Sequence, residues 1–362
     1  MSLARFIEAM PKVELHVHLE GAIEPPTLLK LAQRHNIALP AQTVDGLRAW
    51  YTFTGFPHFI DVFTLVSSCI RTPDDIELIA REFLAGQARQ NILYSEVTYT
   101  AYTHYVSKGL SFGDQLSALN RARAWAQAEY GVTAGWVIDI PRNIPAEDGM
   151  WTADAAIRGM GDGVVALGLG GPEVGNPPQK FAAAFARAHE AGLPSVPHAG
   201  ETSGAESIWG ALRVLNADRI GHGVRCTEDP ALVAELRARQ IPLEVCPTSN
   251  VCLKVAPSMA EHPLPRLLAE GLCVTIGSDD PAMFNTTLTD EYLAIASTLG
   301  MTVGRIERLV LNGVRAALLP PEERASMSAA FEEEFARLRR EHLSYAETTM
   351  KTADAPKAGC NH

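Results

Sequence analysis

Two features of the 362-residue sequence predict an α/β fold, a (β/α)₈ barrel of the TIM type. Short apolar runs recur along the chain, and stretches with helical spacing of apolar residues separate them. The runs lack strict alternation, as expected of strands that are buried on both faces of a parallel sheet. Eight runs can be counted, which is the number of strands in such a barrel.

Each of the eight predicted strands ends in polar, glycine or proline residues. They are Val13–His18, Ile92–Thr100, Val132–Ile140, Val164–Gly171, Pro194–Glu201, Arg219–Gly223, Pro242–Asn250 and Cys273–Pro281. Between them, Pro178–Ala191 and Asp229–Gln240 carry apolar residues three and four apart, with a proline near the start, which predicts crossover helices. An open doubly wound sheet is the alternative, but no glycine-rich phosphate loop follows the first strand.

Additional helices are expected after strand 1 and at the C-terminus. The gap from Gly21 to Gln90 contains the aromatic residues Trp50, Tyr51, Phe53, Phe56, Phe59 and Phe63. This aromatic segment has two interpretations of about equal weight. Its side chains either pack extra helices together or form a lid or pocket wall at the C-terminal face of the barrel. The segment Glu322–Tyr345 has the pattern of a charged amphipathic helix. We expect residues 1–347 to form one barrel domain and residues 348–362 a disordered tail.

Composition and charge favour a small-molecule substrate. The chain is 47% hydrophobic and 20% charged, which is ordinary for a globular protein. Its net charge of -11 argues against nucleic acid as a partner, because binding a phosphate backbone requires clusters of Lys and Arg. Neither an 18-residue apolar run nor a signal-peptide pattern is present, so we expect no membrane partner and a cytoplasmic location. The oligomeric state has no signature in the sequence.

A pair of histidines ends the first predicted strand. His16 and His18 lie two residues apart, so their side chains point to the same face of the strand, which in a barrel can be the interior. The spacing suits two imidazoles that share one metal ion. An H-x-H pair alone is a weak signal, since packing and hydrogen bonding account for most single instances. The position of the pair at the end of a strand strengthens the metal interpretation.

Polar side chains also end three later strands. Strand 5 ends with His198 and Glu201, strand 6 with His222, and strand 8 with Asp279 and Asp280. Each residue alone could be a capping or loop residue. However, the C-terminal ends of barrel strands meet at one rim, where barrel enzymes place their sites. Imidazoles and a carboxylate from strands 1, 5 and 8 would give a His₃Asp ligand set with room for a water.

Five strings give a resemblance to a known family. In this order and at these spacings, PKVELHVHLEG, HAGE, RIGHGV, VCPTSNV and SDDPAMF resemble the adenosine deaminase family of the amidohydrolase superfamily. The resemblance covers roughly Met10 to Phe284. It implies one Zn²⁺ per chain, held by His16, His18, His198 and Asp279. Binuclear relatives use a carboxylated lysine on strand 4, and VVALGLGG contains no lysine, so one ion is expected.

The resemblance also implies roles for the other rim residues. A metal ion lowers the pKa of bound water, which becomes the nucleophile at C6 of a purine. His222 matches a histidine that orients or deprotonates this water, and Glu201 matches an acid that protonates N1. Asp280 is expected to contact N7 and Gly171 to contact N3. The catalytic set is then Glu201, His222 and Asp279, and the substrate-binding set is His18, Glu20, Gly171 and Asp280.

The required chemistry supports these residue types independently. An aromatic amine is a poor leaving group, so water must be activated on one side of the ring and the ring protonated on the other. Glu201 can protonate the ring only if it carries a proton beforehand, which a desolvated site near other carboxylates favours. The expected reaction is hydrolytic deamination that gives a 6-oxo purine and ammonia.

The substrate motifs favour different family members. Many nucleoside deaminases have Asp where this chain has Glu20, which resembles several adenine deaminases. They also often have Asp where this chain has Pro172, and the following string EVGNPPQKF resembles the adenine-type branch. Gly170 and Gly171 instead resemble nucleoside-acting members. Adenosine is therefore the first substrate to test, with adenine and aminodeoxyfutalosine as alternatives. Other amidohydrolase reactions and a non-catalytic zinc barrel are further alternatives, and the presence of Glu201, His222 and Asp280 argues against the last.

Overall fold

The computed structural model describes residues 2–343, and these residues form the predicted barrel. Eight parallel strands make one sheet in chain order, each strand pairing with the next. The strands are β1 Lys12–His18, β2 Ile92–Tyr99, β3 Thr133–Pro141, β4 Val164–Gly170, β5 Ser195–Ala199, β6 Ile220–His222, β7 Leu243–Val245 and β8 Val274–Ile276.

The barrel closes between β1 and β8 through Asp279, which lies just beyond β8. The N–H of His18 donates to the Asp279 carbonyl at 2.8 Å, and the N–H of Asp279 donates to the His16 carbonyl at 3.1 Å. A parallel bridge pairs Val17 with Asp279. The residue that completes the barrel is therefore also a predicted metal ligand.

The strands of the second half are shorter than predicted. β6, β7 and β8 contain three residues each. The range Pro242–Asn250 includes only one short strand, since the strand ends at Val245 and a helix begins at Pro247. Proline fits the first turn of a helix because its missing N–H has no intrahelical partner there. The eight strand positions themselves are confirmed.

The helices fill the gaps between the strands. The α-helices of the described residues are α1 Leu3–Ala9, α2 Pro25–Arg34, α3 Val44–Trp50, α4 Phe56–Ser68, α5 Pro73–Arg89, α6 Ala101–Lys108, α7 Phe112–Tyr130, α8 Gly149–Arg158, α9 Ala182–Glu190, α10 Ala205–Val214, α11 Pro230–Arg239, α12 Pro247–Cys252, α13 Leu264–Ala269, α14 Pro281–Phe284, α15 Leu288–Thr298, α16 Val303–Ala316 and α17 Pro321–His342. Short 3₁₀ helices occur at Glu20–Ala22, Pro178–Phe181, Val224–Glu228 and Met259–Glu261.

Both predicted sets of additional helices are present. Helices α2 to α5 occupy the gap between β1 and β2, and α5 begins with a capping box formed by Thr72 and Asp75. Helix α17 corresponds to the predicted amphipathic helix at the C-terminus. The predicted disordered tail, residues 348–362, lies outside the described residues. Within residues 2–343, no helix combines the length and the apolar character that crossing a bilayer requires.

The aromatic segment after strand 1 contributes to both core and cavity. Phe59 stacks on Phe284 with ring centroids 5.4 Å apart, and Phe53 meets Phe284 edge-on at 5.7 Å. Phe59 and Phe53 are buried, whereas Phe56 and Phe63 are partly exposed. The two interpretations of this segment are thus compatible, because one face of α4 packs on α14 while other residues border a cavity at the rim.

Candidate active site

Four side chains converge at the C-terminal end of the barrel. One ligand atom from each of His16, His18, His198 and Asp279 lies within 4.8 Å of the other three, and all four residues are buried. The Nε2 atoms of His18 and His198 are 3.1 Å apart. Asp279 Oδ1 lies 3.4 Å from His16 Nε2 and 3.3 Å from His18 Nε2. Strands β1 and β5 and the end of β8 supply these residues, as predicted.

The donor set fits a metal ion. Ligands held about 2.0 to 2.1 Å from a tetrahedral zinc lie about 3.3 Å from one another, close to the distances observed. His16 Nε2 is buried and forms no hydrogen bond within residues 2–343, so a buried lone pair is available for a metal. A second group, His222, Cys246 and Asp279, also converges. Burial raises the pKa of the Cys246 thiol well above its usual value, which disfavours the thiolate that binds metals.

The orientation of His16 depends on a network inside the barrel. Its Nδ1 lies 2.8 Å from Glu244 Oε2, and in a neutral ring that donates through Nδ1 the other nitrogen, Nε2, is free to bind a metal. Glu244 in turn accepts from Arg219 Nε at 2.5 Å. Arg219 also donates to Glu96 Oε2 at 2.5 Å. A buried arginine between two carboxylates therefore holds the partner of a metal ligand in place.

Two glycines make room for the His16 side chain. A Cβ atom at Gly221 would lie 2.8 Å from His16 Cε1, and one at Gly277 would lie 2.6 Å from the His16 carbonyl oxygen and 2.8 Å from its Cβ. Contacts under 3.0 Å are not tolerated between such atoms without movement. Glycine at these positions on β6 and after β8 therefore allows the imidazole to lie inside the barrel.

The backbone is unusual at two rim residues. His222 and Asp279 have φ angles of 60° and 64°, in the left-handed region that residues other than glycine seldom adopt. Such conformations persist where surrounding contacts hold them, and they concentrate at functional sites. Asp279 is held by its two main-chain bonds to β1 and by Ser249 Oγ, which donates to Oδ2 at 2.6 Å.

Glu201 and His222 lie beside the His₃Asp cluster. His222 Nε2 lies 3.8 Å from both Glu201 Oε1 and Asp279 Oδ2. Burial, reinforced by the Asp279 carboxylate, raises the pKa of Glu201 well above its usual value. Burial lowers the pKa of His222 to about 4. Burial therefore favours the protonated form of the Glu201 carboxyl group and the uncharged form of the His222 imidazole.

The turn that carries Glu201 is held by two residues that the sequence analysis missed. The Glu173 carboxylate accepts from the main-chain N–H groups of Gly200 at 2.9 Å and of Glu201 and Thr202 at 2.8 Å. Arg142 donates to the carbonyl of His198. Both are buried, and each follows the end of a predicted strand, which was the available signal in the sequence.

The predicted substrate-binding residues occupy different environments. Gly171 and Asp280 border a cavity next to the cluster, as does His18. Burial, followed by the Asp279 carboxylate, raises the pKa of Asp280 well above its usual value. Glu20 is fully buried, and its Oε1 accepts from the N–H of Thr100 at 3.0 Å and contacts His104 Nε2 at 3.2 Å. Glu20 is not among the described residues that line the cavity.

The cavity begins at the cluster and has a volume of about 330 Å³. This volume falls within the range of small-molecule sites. Its catalytic end is lined by His18, His198, Glu201, His222, Asp279 and Asp280. One wall consists of α4 residues from Phe56 to Ser67, and the opposite wall includes α6 and the ends of β2 to β4. From Phe56 to Ser67 the helix rises by eleven steps of about 1.5 Å, or about 16 Å, so the wall is much longer than a purine ring.

Asp139, at the end of β3, is a cavity residue that the sequence analysis did not single out. It is 4% exposed, and its Oδ1 has no hydrogen-bond partner within residues 2–343. Burial raises the pKa of Asp139 to about 6. The available signal was an acidic residue near the end of strand 3. Because Asp139 lies within the apolar run WVIDIP, the sequence indicated a residue of a buried strand.

Comparisons with known proteins identify the family of this chain. The family model described as adenosine deaminase matches residues 11–333. The aminodeoxyfutalosine deaminase of Streptomyces coelicolor is 42% identical over 328 residues, which cover 90% of this chain and 84% of that protein. The homologues in the adenosine deaminase family are hydrolytic deaminases, and this chain is a hydrolytic deaminase as well.

Two solved structures are also similar. The crystal structure of adenine deaminase from Arthrobacter aurescens has a TM-score of 0.86 and 33% identity, covering 91% of this chain and 100% of that one. An amidohydrolase from Burkholderia ambifaria, crystallised with bound zinc, has a TM-score of 0.88 and 27% identity, covering 94% of this chain and 95% of that one. From the family match across most of its length and from these relatives, the chain belongs to the adenosine deaminase family.

Proposed function

We propose that this chain is a zinc-dependent deaminase that hydrolyses the C6 amino group of an adenosine-type nucleoside, yielding the 6-oxo purine and ammonia. One observation carries the proposal. Glu201, a carboxyl group whose pKa is raised by burial, borders the same cavity as the His₃Asp cluster, so a candidate general acid and a candidate metal site address the same small space. Ring protonation and water activation require this pairing.

The side chains divide the chemistry among them. Zinc held by His16, His18, His198 and Asp279 would lower the pKa of a bound water. Glu201 delivers its proton to N1, which makes C6 more electrophilic. Burial and the Asp279 carboxylate raise the pKa of Asp280, and in its protonated form Asp280 would donate a hydrogen bond to N7.

Two further groups position the reactants. We assign the main-chain N–H of Gly171 to N3, since this residue borders the cavity on the β4 side. His222 lies 3.8 Å from Glu201 and directs an uncharged imidazole at the reacting centre. We assign His222 a contact with the attacking water. Together these residues would hold the purine with C6 toward the cluster and N9 toward the open part of the cavity.

The length of the cavity supports a substrate that carries a group on N9. The wall formed by α4 continues about 16 Å from Phe56 to Ser67, and a free base would contact only part of it. Asp139 lies beside Gly170, since a Cβ atom on that glycine would be 2.8 Å from Asp139 Oδ2. The unpartnered Asp139 Oδ1 could accept from a sugar hydroxyl near N3 and N9. Glu20, which the resemblance places in the substrate-binding set, has an unpartnered Oε2 but does not line the cavity.

Aminodeoxyfutalosine is the second candidate substrate. The Streptomyces coelicolor relative, which is 42% identical, carries the name of a deaminase for this compound. The long apolar wall of α4 favours a nucleoside that extends beyond the ribose. Adenine remains the competing substrate, since the Arthrobacter aurescens structure at 33% identity is an adenine deaminase. The acidic net charge of -11 supports a small purine rather than nucleic acid as partner.

Kinetics with matched substrates test the proposal. The absorbance change during deamination is followed with adenosine, aminodeoxyfutalosine and adenine, using protein whose zinc content is measured. We expect about one zinc per chain and a much higher kcat/KM for a nucleoside than for adenine. Asp139→Ala and Glu20→Ala should each lower nucleoside turnover more than adenine turnover, because a lost hydrogen bond to a hydroxyl costs about 1 to 3 kcal/mol. A preference for adenine, unchanged in both variants, would replace the nucleoside proposal with adenine deamination.

A further inference from the structure

A chain of three hydrogen bonds leads from a main-chain N–H to His222. The N–H of Leu264 donates to His262 Nδ1 at 3.1 Å. His262 Nε2 lies 3.1 Å from Asn250 Oδ1, and Asn250 Nδ2 lies 3.3 Å from His222 Nδ1. The side chains of Asn250, His262 and His222 are all buried. We call this chain of hydrogen bonds the His262 relay.

The first bond determines the direction of all the others. A main-chain N–H can only donate, so His262 Nδ1 must be an unprotonated acceptor. Burial lowers the pKa of His262 to about 4, so its ring is neutral and the proton lies on Nε2. That N–H needs an acceptor, which is the amide oxygen of Asn250. The Asn250 amide is thereby oriented with its NH₂ group toward His222.

We propose that the His262 relay fixes His222 as the tautomer with its proton on Nε2, so that His222 donates a hydrogen bond into the active site instead of accepting a proton there. The NH₂ group of Asn250 offers only donors, so His222 Nδ1 must accept. The proton of the neutral ring then lies on Nε2, which faces Glu201 and Asp279 at 3.8 Å. Asn250 and His262 are positioning residues in this scheme.

The fixed tautomer assigns the proton of the attacking water to another group. Through its Nε2–H, His222 can hold the water oxygen and stabilise negative charge that develops on it. Glu201 gives its proton to N1 and becomes a carboxylate, which then takes the proton of the water as the C6–O bond forms. One proton thus passes from water to Glu201 and another from Glu201 to N1, and the charges balance. The kinetic part of this inference rests on the proposed function, whereas the tautomer itself does not.

The substitution Asn250→Asp reverses the relay with little change in shape. A carboxylate accepts from both neighbours, so His222 would donate from Nδ1 and present an unprotonated Nε2 to the site. The tautomer is measured by long-range ¹H–¹⁵N correlation spectra of the zinc-loaded protein with ¹⁵N-labelled histidine, and His222→Gln identifies the signals. We expect an unprotonated Nδ1 in the wild type and an unprotonated Nε2 in Asn250→Asp. A wild-type spectrum with the proton on Nδ1 would overturn the inference, whatever the activity.

Activity gives a second readout with opposite expectations for the two roles of His222. If His222 donates, Asn250→Asp should lower kcat about 100-fold or more at nearly constant KM and zinc content, the size of effect seen when one preorganised donor is lost. If His222 is instead the base, the new carboxylate would make Nε2 more basic and kcat would be kept or increased. That second outcome contradicts the inference.

Two further variants separate the relay from general instability. Asn120 forms the same pattern far from the site, with Oδ1 accepting from Trp136 Nε1 at 3.1 Å and Nδ2 donating to the Asp162 carbonyl at 2.8 Å. Asn120→Asp should therefore keep the wild-type kcat and the wild-type His222 spectrum. His262→Gln retains an N–H for Asn250 and should keep most of the activity, whereas His262→Leu should lose it. Equal losses in Asn120→Asp and Asn250→Asp, or in both His262 variants, would refute the relay.

Discussion

The two sides of the active site are held by different forces. On the side formed by β5 to β8, each reactive group has a dedicated hydrogen-bonding partner: Ser249 for Asp279, Asn250 for His222 and Glu173 for the turn of Glu201. On the side formed by α4, α6 and the ends of β2 to β4, apolar contacts dominate and Asp139 Oδ1 has no partner within residues 2–343. We call these the catalytic side and the cavity side.

This difference has a consequence for specificity. Hydrogen bonds fix direction as well as distance, which catalysis requires because small displacements of a reacting group cost large factors in rate. Apolar walls fix shape only, and a change of one side chain alters which substrates fit. On the proposed function, the catalytic side would carry out the deamination and the cavity side would determine the choice among purines. Substitutions on the two sides should have separable effects.

The largest effect is expected at the metal cluster. Asp279→Ala removes one of four ligands and should abolish both metal binding and measurable turnover. Metal content of the purified variant and deaminase activity check this prediction. Asp45→Ala, at an exposed carboxylate, serves as the control and should retain both. Full zinc occupancy with normal turnover in Asp279→Ala would show that the ligand set is wrong.

A smaller loss should follow from removing the general acid on the catalytic side. Glu201→Gln keeps the shape of the side chain but cannot transfer a proton to N1. We expect kcat to fall by about 10²- to 10⁴-fold, with zinc content and purine binding retained. Turnover measured beside zinc content distinguishes this result from metal loss. If added zinc restored the activity of the variant, Glu201 would have a structural role rather than the proposed one.

Residues that only position the acid should show intermediate effects. Glu173→Gln replaces an acceptor of several main-chain N–H groups by a group that is partly a donor, so the turn at Gly200 to Thr202 should shift. A displacement of about 1 Å in such a site costs about 100-fold in rate, and we expect kcat to fall by that order. Ser207→Ala removes only one bond to Glu173 and should cost much less. Equal effects of the two substitutions would contradict this ranking.

The smallest effect should come from the cavity side, and it should appear in KM. Ile60 lies on the α4 wall away from the metal ligands, and Ile60→Ala removes apolar contact with the group on N9. We expect KM for the nucleoside to rise about tenfold while kcat and zinc content stay constant. Steady-state kinetics with the nucleoside and with adenine check this. A fall in kcat with both substrates would show that the two sides are not separable.

The sequence was sufficient to predict the fold and the metal cluster for one physical reason. In a parallel barrel, all strands end at the same rim, so polar residues at the ends of apolar runs can be brought together without knowing any distance. His16, His198 and Asp279 were found in this way, and the structure brings them together. The roles assigned to the surrounding site residues stay predictions that the variants above test.

The residues missed by the sequence analysis act through other residues. Glu173 and Asn250 hold a turn and a ring, and such contacts require no fixed spacing from the group they support. Asn250 also fell within a range predicted to be a strand, because Pro247 was not taken as the start of a helix. His262 lies between elements, where a single polar residue has no periodic pattern.

Barrel closure at Asp279 also has a consequence for the time course of synthesis. His16 and His18 leave the ribosome early, but their partner Asp279 and the last strand of the barrel come near the end of the chain. At translation rates of about 5 to 20 residues per second, the histidines wait roughly 10 to 50 s for the residue that completes both the barrel and the ligand set. Until then the nascent chain carries an open sheet edge and two exposed imidazoles. The β1 edge and the two imidazoles therefore stay without their partner Asp279 for most of the time that the chain takes to be made.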